Sequence, residues 1–168
     1  MNHTIFVVRH GIAAARSNAG RDAQRGLTSA GKRNMRIIAS SLGRLRVVPD
    51  VILTSPFKRA EQTAAILAGA LVDSGSYEIL DALAPGHTAG DIVKALYGHR
   101  DKPRLMLVGH EPGVSQLVSY LLTRSTDALE LRFKKGGIAA IEVPLLTANS
   151  TGVLLWFATP RQLRLSNG

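Results

Sequence analysis

Four short runs of branched and aromatic residues constrain this chain most: Ile5 to Val8, and the stretches "PDVILTS", "RLMLVGH" and "GVLLWFA". Each ends in polar or turn-forming residues and is far shorter than a membrane span, the pattern of a buried strand. Weaker strand candidates lie at Gly137 to Val143 and Tyr77 to Leu80. Between them the pattern predicts helices over Ser29 to Leu42, Pro56 to Ala68, Asp91 to Tyr97 and Pro112 to Leu122. Ser55 is placed to cap the second of these with Pro56 in its first position, Pro112 suits the same position behind Glu111, and Gly43 and Gly69 mark stops. Helices alternating with buried strands imply a three-layer α/β/α fold with a mostly parallel central sheet. The last strands, after Arg132, come close enough together to make that sheet mixed. With 168 residues, 45% of them hydrophobic, the expectation is a single domain over residues 1–168. The loops Ala13 to Gly26 and Ala82 to Gly90 are long enough to carry function, and "RQLRLSNG" reads as a frayed end.

The absence of cysteine removes disulfides, Cys-ligated metal and thiol nucleophiles, and fits a reducing compartment. "MNHTIFVVRHG" shows neither a basic leader before a long apolar region nor a cleavage site, so a cytoplasmic protein with no membrane association is expected. The formal charge of +9 attracts anions in general. The basic residues are spread rather than clustered, and no nucleic-acid-binding motif accompanies them, so no specific nucleic-acid partner is expected. With no coiled-coil period, a monomer is the simplest expectation.

In open α/β sheets ligands bind beyond the carboxyl ends of the strands. Three of those ends carry related chemistry: Arg9-His10-Gly11, then Thr54-Ser55 with Lys58 and Arg59 in the following helix, then Gly109-His110-Glu111. If the three strands are parallel neighbours, two imidazoles and two guanidiniums share one cleft. A phosphoryl group suits it, because it carries about −1.5 to −2 charge and several acceptor oxygens that the arginine fork grips. In that scheme Arg9 and Arg59 hold the group, neutral His10 attacks phosphorus, and His110 donates to an equatorial oxygen. Gly11 lets the backbone approach the phosphate, Ser55 offers another hydrogen bond, and no metal or cofactor is called for. An ion pair between Arg59 and Glu61 is the plain alternative for that arginine.

These residues resemble the histidine phosphatase superfamily, which has the phosphoglycerate mutase-like fold, and most specifically its small bacterial SixA-type phosphohistidine phosphatases. "VVRHGIA", "DAQRGLTSAG", "ILTSPFKRAEQTA" and "LMLVGHEPGVSQLVSYLL" carry the resemblance, with "FKKGGIAAIEV" and "LLWFATP" after them, in family order from about residue 5 to residue 160. The resemblance implies His10 as nucleophile through a phosphohistidine intermediate, Arg9, Arg59 and His110 as phosphate pocket, and a histidine-phosphorylated protein as partner. Larger branches of the family carry an acid in the loop that here reads "LAPG", with Ala84 and Pro85. An alkoxide leaving group needs a proton, whereas a phosphohistidine imidazole leaves neutral when its other nitrogen is protonated, so the missing acid favours a phosphoramidate. Asp22, Asp81 and His87 are remaining candidate donors, each read first as a loop or capping residue, Glu111 reads as a helix-start charge, and Arg16, Arg21 and Arg25 are placed to meet an acidic phosphoprotein at the mouth, with plain solvation as the alternative.

Competing readings are a phosphatase of small phosphorylated metabolites and a noncatalytic phosphate-binding module. "GLTSAGK" matches the spacing of a nucleotide-binding loop, but Arg33 replaces its hydroxyl residue and no strand precedes it, so a helix start is the simpler reading.

Overall fold

The computed structural model describes residues 2–15, 21–147 and 150–165. Six strands, β1 (His3–Arg9), β2 (Val51–Thr54), β3 (Glu78–Ile79), β4 (Arg104–Gly109), β5 (Ile138–Val143) and β6 (Val153–Ala158), form one sheet in the order β3-β2-β4-β1-β5-β6. β3, β2, β4 and β1 run parallel, and β5 and β6 add antiparallel strands at one edge. The expected mixed, mostly parallel sheet is therefore present.

Alternation along the strands builds the layers. Ile5 and Val7 of β1 and Leu105 and Leu107 of β4 face one side, where α3 (Ala89–Ala95) and α4 (Gly113–Thr123) cover them with Ile92, Val114 and Leu117. Phe6, Val8, Met106 and Val108 face the other side, under α1 (Ser29–Arg44), α2 (Lys58–Leu71) and the short α5 (Pro160–Leu165). α1 turns Gly31, Met35, Ile38, Ala39 and Leu42 inward, the spacing of one helical face. Its cap is Thr28, whose hydroxyl accepts the Gly31 N–H at 2.9 Å. A Cβ on Gly31 would stand 2.1 Å from the Ile12 carbonyl oxygen, so the nucleotide-loop look-alike is a helix start packed against backbone.

Several predicted boundaries move. α2 begins at Lys58, with Phe57 rather than Ser55 in the capping position, and Pro56 precedes the helix. α4 likewise starts at Gly113 with Pro112 as its cap residue. Neither Gly43 nor Gly69 ends its helix, because α1 runs to Arg44 and α2 to Leu71 and the packing of their faces outweighs a single glycine. α3 starts at Ala89 because Thr88 and Asp91 close a reciprocal capping box. The tail expected to fray is tied down over Pro160–Leu165: Leu163 is buried, and its carbonyl accepts the Ser41 hydroxyl at 2.6 Å. Among the described residues no helix is long and apolar enough to cross a membrane.

Candidate active site

Strand register sets the site. Val8 of β1 pairs with Val108 of β4, and Val108 pairs with Thr54 of β2, so the three parallel strands end level. His10, Ser55 and His110 follow directly at those ends, as the sequence reading required. The His10 N–H donates to Gly109 O and the Ser55 N–H to Val108 O, each at 3.1 Å, which fixes where their side chains start.

The two imidazoles lie with ring centroids 5.0 Å apart. Together with Arg9, Asp22, Arg59 and Lys135 they line a cleft of about 360 Å3. His10, Arg59 and His110 are 6%, 4% and 6% exposed, so three ionisable groups are almost fully withdrawn from water. Burial, with Arg59 and Arg9 adding repulsion, lowers the His10 pKa to about 4, although a hydrogen bond to Gly11 acts the other way. Burial, and then His10 and Arg59, lower that of His110 to about 3. Both rings are neutral at pH 7.

Their hydrogen bonds define which nitrogen does what. The His10 Nδ1 lies 2.7 Å from Gly11 O, and a carbonyl only accepts, so Nδ1 carries the proton. Nε2 then presents a lone pair, and the Arg59 Nε–H donates to it at 3.2 Å. On the other ring, His110 Nε2 pairs with the Ser55 hydroxyl at 2.8 Å, and that hydroxyl also accepts the Phe57 N–H at 3.2 Å. The arrangement that satisfies all three groups has Ser55 donating to Nε2, which leaves the proton of His110 on Nδ1. That Nδ1 is buried with no protein partner, and so is the Nε of Arg9. Two buried donors without partners, on residues that line one cleft, are costly.

Arg59 is held by Asp22, whose carbonyl and carboxylate accept from its two terminal nitrogens at 2.8 and 2.9 Å. The plain alternative, a pair with Glu61, is replaced by one to a residue from the loop after β1. Asp22 also takes Arg25, at 2.7 Å. Burial would raise its pKa, but the hydrogen bonds from Arg59 and Arg25 prevail and hold it at about 2. Asp22 is thus a carboxylate at neutral pH, which removes it as a proton donor. Asp81 opens a short 3-10 turn over Asp81–Leu83 and is exposed, and His87 lines a neighbouring pocket rather than the cleft. Pro85 borders the cleft. Glu111 lies at the rim, but its carboxylate accepts the Ser115 hydroxyl at 2.8 Å and the Phe133 N–H at 3.2 Å. This ties α4 to the Phe133 segment, whose carbonyl accepts Arg9 Nη1 at 2.5 Å, so Glu111 does more than charge a helix start.

Gly11 differs from expectation in what its bareness accommodates. A Cβ there would come 2.7 Å from Met35 Cγ, so the space it leaves belongs to α1, while its N–H donates to the Thr63 hydroxyl at 3.0 Å. Ser55 acts on the His110 ring, and Arg16 lies outside the described residues. The sequence reading missed Phe57, which packs edge-on to His110 at 5.1 Å and beneath the Arg59 guanidinium at 5.0 Å. An aromatic where a polar cap belongs was the available signal. It also missed Lys135, whose charge bears on His10 and which enters the cleft through the turn at Gly136, a residue with φ +87°.

The model of the histidine phosphatase superfamily (branch 1) matches residues 5–84. An uncharacterised protein of Picosynechococcus sp. is 32% identical over 164 residues, covering 95% of this chain and 98% of the relative. The phosphohistidine phosphatase SixA of Escherichia coli is 29% identical over 164 residues, covering 96% and 97%. The structure of the protein histidine phosphatase SixA complexed with tungstate superposes with a TM-score of 0.82 at 28% identity, over 95% of this chain and 99% of the other. With likeness running along nearly the whole chain, the protein belongs to the histidine phosphatase superfamily, a family of phosphatases, and is closely related to its SixA-type members.

Proposed function

We propose that the protein hydrolyses phosphohistidine on other proteins through a covalent intermediate on His10. The observation that carries this reading is a neutral His10, with Nε2 as its unprotonated nitrogen, lining one cleft with Arg9 and His110, each of which holds a buried nitrogen that has no protein partner. The tungstate bound by the related SixA structure is a tetrahedral oxyanion, the shape such donors suit.

In the first step the Nε2 lone pair of His10, released from the Arg59 Nε–H, forms a bond to phosphorus as the bond between phosphorus and the substrate's ring nitrogen breaks. The electron pair stays on that nitrogen, and a substrate ring protonated at its other nitrogen leaves as neutral imidazole. Arg9, Arg59 and the His110 Nδ1–H stabilise charge on the equatorial oxygens. Water then attacks the phosphorylated His10, and the bond to Nε2 breaks with its electrons returning to the ring. The proton on Nδ1 stays with Gly11 O throughout, so His10 too departs as neutral imidazole, and water's proton passes to phosphate or solvent. Neither step calls for an acid on the leaving group. That matches a cleft whose carboxylates are the ionised Asp22 and the hydrogen-bonded Glu111.

The test is phosphate release from a histidine-phosphorylated carrier protein in EDTA, with wild type and His10→Ala side by side. Rapid release that depends on His10 supports the reading. Release that survives the substitution ends the covalent mechanism, and His10-dependent turnover of small phosphate esters with none of the carrier moves the substrate to metabolites.

A further inference from the structure

Beside the phosphate cleft lies a second pocket of different character. It has a volume of about 240 Å3 and is walled by Leu83, Ile92, Leu107, Val114 and Leu117, all nearly inaccessible from outside. Half-buried Gln116 and exposed His87 stand at its polar edge. Pro85, His110 and Glu111 line both this pocket and the cleft, so an occupant of one lies only those residues away from the other.

An apolar group seated in the pocket would take apolar surface out of contact with water, which favours its binding. Ala84 and Pro85, in a loop that brings no acid to the cleft, also line this pocket. Its volume is below the range of about 300–1,000 Å3 usual for whole small-molecule ligands, and suits one amino-acid side chain. Its walls offer an incoming group apolar contact, with hydrogen-bonding partners only at the edge.

Granted the phosphoprotein substrate proposed above, we infer that this pocket receives an apolar side chain, of leucine or phenylalanine size, that lies next to the phosphohistidine in the partner protein. Recognition then has two parts. The cleft reads the phosphoryl group, which every phosphohistidine shares, and the pocket reads the neighbour, which differs from one phosphoprotein to the next.

The experiment is a scan of phosphohistidine peptides in which leucine replaces alanine at each flanking position in turn, assayed with wild type, Gln116→Trp and Ala84→Leu. Free phosphohistidine, which has no flanks, is the reference. One leucine position should raise kcat/KM about tenfold in wild type, through KM, and either variant should erase that gain. Turnover of free phosphohistidine should stay within about twofold in whichever variant folds. A flat leucine scan with brisk turnover of every peptide overturns the pocket and leaves the phosphohistidine reading standing. So does a variant that slows free phosphohistidine as much as it slows the peptides. No turnover of any phosphohistidine, with His10-dependent hydrolysis of small esters, takes down both.

Discussion

Two arginine–aspartate pairs sit at opposite ends of the same sheet. At the amino ends of β2 and β4, Arg104 and Asp50 meet at 2.6 Å, and the same carboxylate accepts the Arg104 backbone N–H at 2.8 Å. Arg104 is 46% exposed, and its neighbours there leave no chemistry waiting. At the carboxyl ends, Arg59 and Asp22 meet at 2.9 Å with the arginine side chain only 5% exposed, beside two uncharged histidines and two donors with no partner. The first pair lies in water at the amino ends of two inner strands, where an ion pair contributes little. The second holds a guanidinium in place where water screens it little, so its charge bears strongly on the two histidines beside it. Burial rather than residue type separates the two.

The sharpest way to break this contrast is to remove the nucleophile. His10→Ala should cut phosphate release from a phosphohistidine carrier by about 10⁴-fold or more, with the fold intact by circular dichroism. Retained activity would end the covalent role of His10. Next come the arginines themselves. Arg59→Lys keeps the charge but loses the planar fork, and should lower kcat/KM by about 10²- to 10³-fold. Arg104→Lys should leave kcat/KM within about twofold and shift Tm by at most a few degrees. Equal effects at both ends would mean that burial is not what distinguishes the pairs.

Ser55→Ala leaves the buried His110 Nε2 without its partner and releases the ring to its other tautomer. The expected result is a drop of about tenfold in kcat with KM little changed, and Ser55→Thr should recover part of it. The smallest effect concerns pH. His10 and His110 are held neutral in the folded chain, with pKa values of about 4 and about 3, while an unfolded chain protonates them near the reference 6.5. Between those limits the unfolded chain binds more protons. Stability is therefore intact above about pH 6.5 and falls as pH drops toward 4 and then 3. Urea midpoints taken from pH 7 to pH 5 should decline in wild type and decline less steeply in His110→Gln; parallel curves would mean that His110 is not buried uncharged.

Much of the fold was legible because strand and helix signals are local. Ile5 to Val8 announces a strand by its branched residues, and the inward positions of α1 announce a helix by spacing. What failed were the boundaries that depend on packing. Gly69 is a fair stop signal, yet α2 runs past it to bury Leu71. Ser55 looks like a cap, but His110 arrives from another strand to take its hydroxyl. In the site, His10, His110, Arg9 and Arg59 were legible as residue types at strand ends, and the resemblance drew them together. Phe57 and Lys135 were not, because their places follow from a helix starting late and from a turn at Gly136. The partners of Asp22 were not legible, since a carboxylate's proton depends on which cations lie beside it.

By itself the sequence determined the alternation of strands and helices, the chemistry collected at three strand ends and the absence of an acid in the loop at Ala84 and Pro85. These are properties of neighbours along the chain, set by side-chain shape and backbone preference. Only the tertiary structure decided that β1, β4 and β2 end level, that Asp22 rather than Glu61 holds Arg59, that both histidines are neutral, and that an apolar pocket opens beside the cleft. Hydrogen-bond partners, burial and cavities belong to pairs of residues distant in the chain, and they acquire definite values only when the sheet brings those residues together.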